Sequence, residues 1–446
     1  MKRFELVLVL LGLMAVFSTS AFAVDLKFKG EYYAAGLYLD KTTVKKDMGP
    51  STAFYFQRLR LTTDLIVSKG LVLTTRADIM ERAWGAARSA PGSTQQTAVG
   101  TNTAVSSGTQ AENENIGFDY CYLSYYSPLG RFRVGIQQDT VWGTEFGDDE
   151  KPGAGIGYLF TKNGFGVNLK LNKNVERSST AIAPVAFTDG DNNAGSAALF
   201  YIWKGGEAGV LWKHFRYSQY RPATGMRIIY NLISPYAKIN LGPVFLQTQL
   251  YYLPGERYYD DETKPAVKEN PLSFWVDGTV NLGMFYGGGT FAYVSGDDPG
   301  TTERIEGGTL TGGLDWSPCL IMFNYDRTNW AGQLTGYTSG TKTANQNNPM
   351  INTYFFQLRG GIRPVDNLDI MAAVSYATAD KKPTAAWLYN DYGYEVDLTA
   401  TYKITNNLSY MIGAGYLFTG KYYKADKDTN ELSNDYMVTH RLTLTF

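Results

Sequence analysis

The chain has 446 residues, 41 Lys and Arg against 42 Asp and Glu, and a formal net charge of −1. That balance excludes the basic excess of a nucleic-acid binder. Its two cysteines exclude a disulfide framework or a four-cysteine zinc site. Aromatic residues make up 14% of the chain and hydrophobic residues 44%, a composition that excludes disorder.

Residues 1–23 carry Lys2-Arg3, an apolar run from Leu6 to Phe17, and Ala21-Phe22-Ala23. A basic start, a short apolar stretch and an Ala-x-Ala site predict a cleaved secretory signal peptide, with residues 24–446 as one mature domain. Beyond Ala23 no stretch reaches the roughly 18 consecutive apolar residues a spanning helix needs. An exported chain of this kind is either soluble or a closed β-barrel, because lipid requires every backbone polar group to be paired.

From residue 26 the sequence alternates with period two. Leu26, Phe28, Tyr32 and Tyr38 face away from Lys27, Lys29 and Glu31. The pattern returns at 165–171, 272–282 and 392–402, and the chain ends Tyr436, Val438, His440, Leu442, Leu444, Phe446. Such runs predict strands with one apolar and one polar face. Short Gly- or Asn-containing links at 68–70, 128–130, 163–164, 205–207, 241–242, 282–283, 364–367 and 405–407 are hairpin turns. Longer segments alternate with them, notably 85–113 and 297–348. Eight turns and nine loops separate 18 strands, an even number with both ends on the short-turn side. The expected fold is an all-β, antiparallel, up-and-down transmembrane barrel of 18 strands, within a range of 16 to 20. The apolar run Cys319 to Phe323 is either a folded-in loop or an extra hairpin.

Turn length sets which side chains share the lumen. A three-residue turn at Ser68-Lys69-Gly70 places Arg58, Arg60, Asp64, Arg76, Asp78 and Arg82 on one face, with Arg60 opposite Asp78. A lipid-facing Arg at mid-membrane costs roughly 2–4 kcal/mol, so this face points inward. The same logic at 128–130 puts Asp119, Cys121, Arg133 and Asp139 inside, with Asp119 opposing Asp139. Lys170, His214, Arg216, Arg359, Glu395, Asp397 and Arg441 take lumen phase. On the hairpin, four arginines meet only Asp64 and Asp78, which predicts a selectivity belt favouring anions. The alternative is that these charges brace the wall. Neither histidine has a Ser or Asp partner in a loop, and no hydrolase or nucleotide motif occurs. No catalytic residue, cofactor or metal site is expected.

With the signal peptide, the strand count and the ending Arg441-Leu442-Thr443-Leu444-Thr445-Phe446, the chain resembles Gram-negative outer-membrane porins. Gly393-Tyr394-Glu395-Val396-Asp397-Leu398-Thr399, then Tyr402-Lys403-Ile404 through Leu408, Gly413-Ala414-Gly415-Tyr416 and Ser295-Gly296-Asp297-Asp298 are similar to the alginate-export type of 18-stranded channel. The porin resemblance implies the bacterial outer membrane, contact with lipid and lipopolysaccharide, and insertion by the barrel-assembly machinery through Phe446. The function expected is a passive, water-filled channel for small hydrophilic solutes, without nucleic acid as a partner. Alternatives are an exporter of an anionic polysaccharide, a barrel sheathing an electron-transfer cytochrome, and an outer-membrane hydrolase.

Overall fold

The structure, a computed structural model, describes residues 24–85, 116–139, 141–148, 151–177, 190–308, 316–346 and 349–446. The expected signal peptide and nearly all of the 85–113 loop lie outside the described residues.

Period-two alternation becomes a ring of 18 antiparallel strands. In chain order they are Asp25–Leu39, Thr52–Ser68, Leu71–Ala83, Ile116–Ser127, Gly130–Gln138 and Pro152–Lys162. Phe165–Val175, Asn192–Trp203, Gly206–Tyr217, Met226–Leu241, Val244–Tyr252 and Leu272–Leu282 follow. Phe285–Val294, Thr353–Val365, Leu368–Thr378, Asp391–Lys403, Leu408–Thr419 and Asp435–Thr445 complete the set. Each pairs with the next, and Asp25–Leu39 closes the ring against Asp435–Thr445. Closure leaves no unpaired edge. No helix among the described residues is long and apolar enough to cross a membrane.

The outer surface inverts that of a soluble protein. Leu171, Leu358 and Leu398 are 66%, 74% and 55% exposed, although strand leucines ordinarily pack into a core. Exposed Tyr125, Phe132, Phe165 and Phe285 stand near the short turns, and Tyr55, Trp212, Tyr394 and Phe418 near the loops. This is an apolar band with an aromatic girdle at each end. The buried residues lie inside the ring, where Phe56, Phe146, Trp275, Trp330 and Phe355 are at most 1% exposed.

All eight short turns fall where the sequence places them, but some registers differ. Ser68 pairs with Leu71, so Lys69-Gly70 is a two-residue turn. A one-residue shift between Ile66 and Ser68 then restores the expected pairing, and Arg60 does oppose Asp78. A second shift lies between Gln57 and Leu59, opposite Met80, whose φ is +53°. Beyond this bulge Arg82 pairs with Gln57. Gln57 accepts from the indole of exposed Trp84 at 2.9 Å, so Arg82 belongs to the outer face, and Glu81 turns inward instead. At the next hairpin Ser127 pairs with Gly130, which turns Cys121 outward, where it is exposed. His214 and Arg216 also leave the lumen, because Lys213 and Phe215 take the inner phase and are 6% exposed. Among its described residues the 297–348 segment adds no spanning strand, only the short Arg304–Ile305, which pairs in parallel with Val267–Glu269. Its hairpin Leu334–Ser339 with Lys342–Gln346 forms a separate two-stranded sheet.

Candidate functional site: a lumen narrowed by two inward segments

Two loop segments fold into the barrel. In 139–151, the Thr144 hydroxyl and amide both donate to Gln249 Oε1 at 2.7 Å. The Trp142 indole donates to the Ser234 carbonyl at 2.8 Å. Phe146, at the head of the short turn Glu145–Gly147, stacks on wall residue Trp275 with centroids 5.7 Å apart and planes 8° from parallel. Gly147 is required there, since a Cβ would lie 1.7 Å from the Tyr251 hydroxyl.

The other segment, 316–331, contains the apolar run Cys319 to Phe323. Ile321 and Met322 donate their amides to the two Glu395 oxygens at 2.6 and 2.7 Å. Gln357 donates to the Pro318 carbonyl at 2.6 Å, and Trp330 stacks on Phe56 at 4.6 Å. The segments meet where Trp316 places its edge on Phe146, 5.5 Å between centroids.

They leave two cavities of about 830 and 570 Å3 that share Asp119, Lys151 and Pro152 in their linings. The smaller carries Arg58, Arg60, Arg76, Lys151 and Arg441 against Glu31, Asp78, Glu81, Asp119 and Asp326. Its described charges cancel. Arg60 grips Asp78 with two nitrogens at 2.7 Å, and Arg76 holds Asp119 at 3.0 Å while its guanidinium lies 3.7 Å from the Tyr120 ring centre. Arg58 approaches Glu31 at 3.4 Å, Glu81 at 3.9 Å and Asp78 at 4.0 Å.

The larger cavity carries Arg133, Lys151, Lys170, Lys173 and Lys213 against only Asp119 and Asp139 among the described residues. Asp139 takes Lys170 at 3.1 Å and both oxygens take Lys213 at 3.0 Å. Asp119 and Asp139 each have their own cations, Arg76 for the first and Lys170 and Lys213 for the second. Arg133 lies over the Tyr122 ring at 4.9 Å.

Other expected lumen residues have different surroundings. Asp64 accepts from the Thr74 hydroxyl at 2.6 Å and lines neither cavity. Arg359 takes Asp277 with two nitrogens at 2.7 and 2.9 Å, and bonds Thr290 and Thr279, which makes it a brace. Glu395 and Asp397 point inward but are 0% and 4% exposed under the 316–331 segment, so they touch no solute path. Sequence reasoning missed Lys213, Glu81, Glu31 and Asp326. An available signal was the need of Asp139 for a cation. Gly413 and Gly415 lie where added Cβ atoms would come within 3.1 Å of Leu320.

A closed 18-stranded antiparallel barrel with an apolar exterior and a charged, partly filled lumen is the architecture of outer-membrane porins. Among solved structures, OccK11 (OpdR) of Pseudomonas aeruginosa is 11% identical, with 95% of this chain and 96% of that chain covered and a TM-score of 0.50. OccK9 (OpdG) of the same organism is 10% identical, with 94% and 99% covered and a TM-score of 0.51. At such identities the likeness establishes the shared fold. No protein-family model and no curated protein matches the sequence.

Proposed function

We propose that this chain is a passive, water-filled channel of the bacterial outer membrane for small hydrophilic solutes, with a modest preference for anions. The observation that carries the reading is the pair of adjoining, charge-lined cavities, sharing Asp119, Lys151 and Pro152, inside an apolar-surfaced barrel. The preference moves from the arginine hairpin, where acids cancel the charge, to the larger cavity, where Lys170 and Lys213 share Asp139 and Arg133 lies over the Tyr122 ring. Low-dielectric walls strengthen that field relative to bulk water. A wide path for a polysaccharide is opposed by the two docked segments, so the alginate-export resemblance rests on its short motifs alone. Hydrolysis is opposed by the histidines: His440 lies among outer-face Tyr55 and Tyr410, and His214 stacks beside exposed Trp212.

Planar-bilayer recordings test both parts. Stepwise single-channel currents are expected, with reversal potentials in a salt gradient favouring anions, most clearly at low salt. Arg133→Gln shifts the reversal potential toward cations, whereas Arg82→Gln, on the outer face, leaves it unchanged. A correctly folded barrel that passes no current refutes the channel. An Arg133→Gln protein with wild-type reversal refutes the selectivity.

A further inference from the structure

The 316–331 segment is fastened to the wall at a place where ordinary pairing fails. Glu395 and Asp397 stand two residues apart on the inner face of Asp391–Lys403, and Cys319 lies over them. A sulfur or carboxylate oxygen from each lies within 4.8 Å of the others, and the three side chains are 3%, 0% and 4% exposed. Glu395 is satisfied by the Ile321 and Met322 amides. Asp397 is not: both of its oxygens are buried without a hydrogen-bond partner. The groups that face it are the Glu395 carboxyl and, outside bonding geometry, the Leu320 amide. The Arg327 guanidinium acts on Glu395 only through space: it donates to the Gly332 carbonyl and makes no ion pair with either acid among the described residues. An unpartnered buried carboxylate costs several kcal/mol unless something positive joins it.

The backbone beneath lets the two acids lie close against it. At Gly415, on the adjoining strand, a Cβ would lie 2.6 Å from Asp397 Oδ1 and 3.3 Å from Glu395 Oε1. Any side chain there would push on both carboxylates, so glycine is what lets the two acids stand side by side under Cys319.

We propose that Cys319, Glu395 and Asp397 form a binding site for one divalent cation of the zinc class, which pins the 316–331 segment to the barrel wall. One thiolate and two carboxylates suit an ion of borderline softness better than the hard, all-oxygen preference of calcium or magnesium. Neighbouring ligands on a tetrahedral zinc ion lie about 3.5 Å apart, so the present spacing closes by small side-chain movements. Glu395 retains lone pairs beyond those facing the two amides, and a water completes the fourth position. This inference does not depend on the channel reading, since a sealed barrel would hold the same ion.

The test uses the full chain with Cys121→Ser, which removes the outward thiol, refolded from denaturant into detergent micelles with a chelator or with Co2+ or Zn2+. Access to a buried site is then not limiting. The expected result is one Co2+ per chain with a thiolate-to-metal charge-transfer band, which equimolar Zn2+ abolishes. Adding Cys319→Ser removes the band. Asp397→Asn, which preserves shape, weakens Zn2+ binding by about tenfold or more. Circular dichroism and the heat-dependent gel mobility of folded barrels confirm folding of each variant. A folded Cys121→Ser protein that binds no Co2+ overturns the proposal, as does a band of full strength in the folded Cys319→Ser form. If Cys319→Ser does not fold, Asp397→Asn decides: unchanged Zn2+ affinity overturns the site.

Discussion

Arg359 and Glu145 sit on opposite sides of one question: what a charge costs inside a barrel. Arg359 is well held: Nη1 and Nη2 each donate to an Asp277 oxygen, and the same two nitrogens donate to the Thr290 and Thr279 hydroxyls. A lysine keeps the charge but loses the planar fork. Arg359→Lys is therefore expected to lower stability by about 1–3 kcal/mol, read as an earlier urea midpoint in micelles. Glu145, on the inward 139–151 segment, has no such partner among the described residues. Close surroundings push its carboxyl above the ordinary glutamate range, Asp277 adds to the rise, and Arg359 and Lys238 draw it back. The folded state thus binds its proton more tightly than the unfolded chain. Docking of the segment is firmest below the usual glutamate pKa and weakens as pH rises through the raised value. Protonation also removes a negative charge from the lumen. Anion preference should grow as pH falls from about 7 toward 4, and Glu145→Gln should flatten that change in reversal potentials.

The two inward segments are held as elements by aromatic anchors. Trp330 is wholly buried on Phe56, and Phe146 on Trp275. Trp330→Ala is expected to lose about 3–5 kcal/mol of docking free energy. The wall, closed by its own ladder, remains intact. Larger and noisier unitary currents with an unchanged circular dichroism spectrum would be the signature. Unaltered currents in the folded variant would place the constriction elsewhere. The wall was legible in sequence because lipid and lumen impose opposite demands on alternate residues, and Gly- and Asn-rich turns punctuate them. Register was legible only between bulges. A left-handed Met80 carries no sequence signal, yet it flips the parity that assigns Arg82, and the two-residue turn Pro128-Leu129 does the same for Cys121. The inward segments were partly legible: Cys319 to Phe323 is too apolar for a solvated loop, but nothing local says which wall it meets.

At the scale of the molecule, stability rests on ring closure. Phe446 exchanges backbone hydrogen bonds with Gly30 at 2.8 and 3.0 Å, and a Cβ on Gly30 would lie 2.8 Å from the Phe446 ring. Gly30→Leu is expected to displace that ring and to press on the Arg60 carbonyl 2.7 Å away, weakening the first strand's pairing on both sides of the seam. Overpacking of this kind costs about 1–3 kcal/mol, measurable as a lower transition temperature for loss of the compact band on gels. A control change at Gly242, where a Cβ meets no atom within 4 Å, carries the strain of its positive φ without touching the seam.

The unequal charge of the two cavities has a hydrodynamic consequence. On the proposed reading, Arg133 together with Lys170 and Lys213, which share Asp139, should gather mobile anions in the larger cavity, and under an applied voltage more anions than cations should cross that stretch. Each carries water. The barrel should then act as a small electroosmotic pump, and a neutral sugar too large to slip past the inward segments should enter faster from the side that the anions leave. Reversing the voltage should reverse the asymmetry in blocking rates, and raising the salt until the lumen charges are screened should erase it.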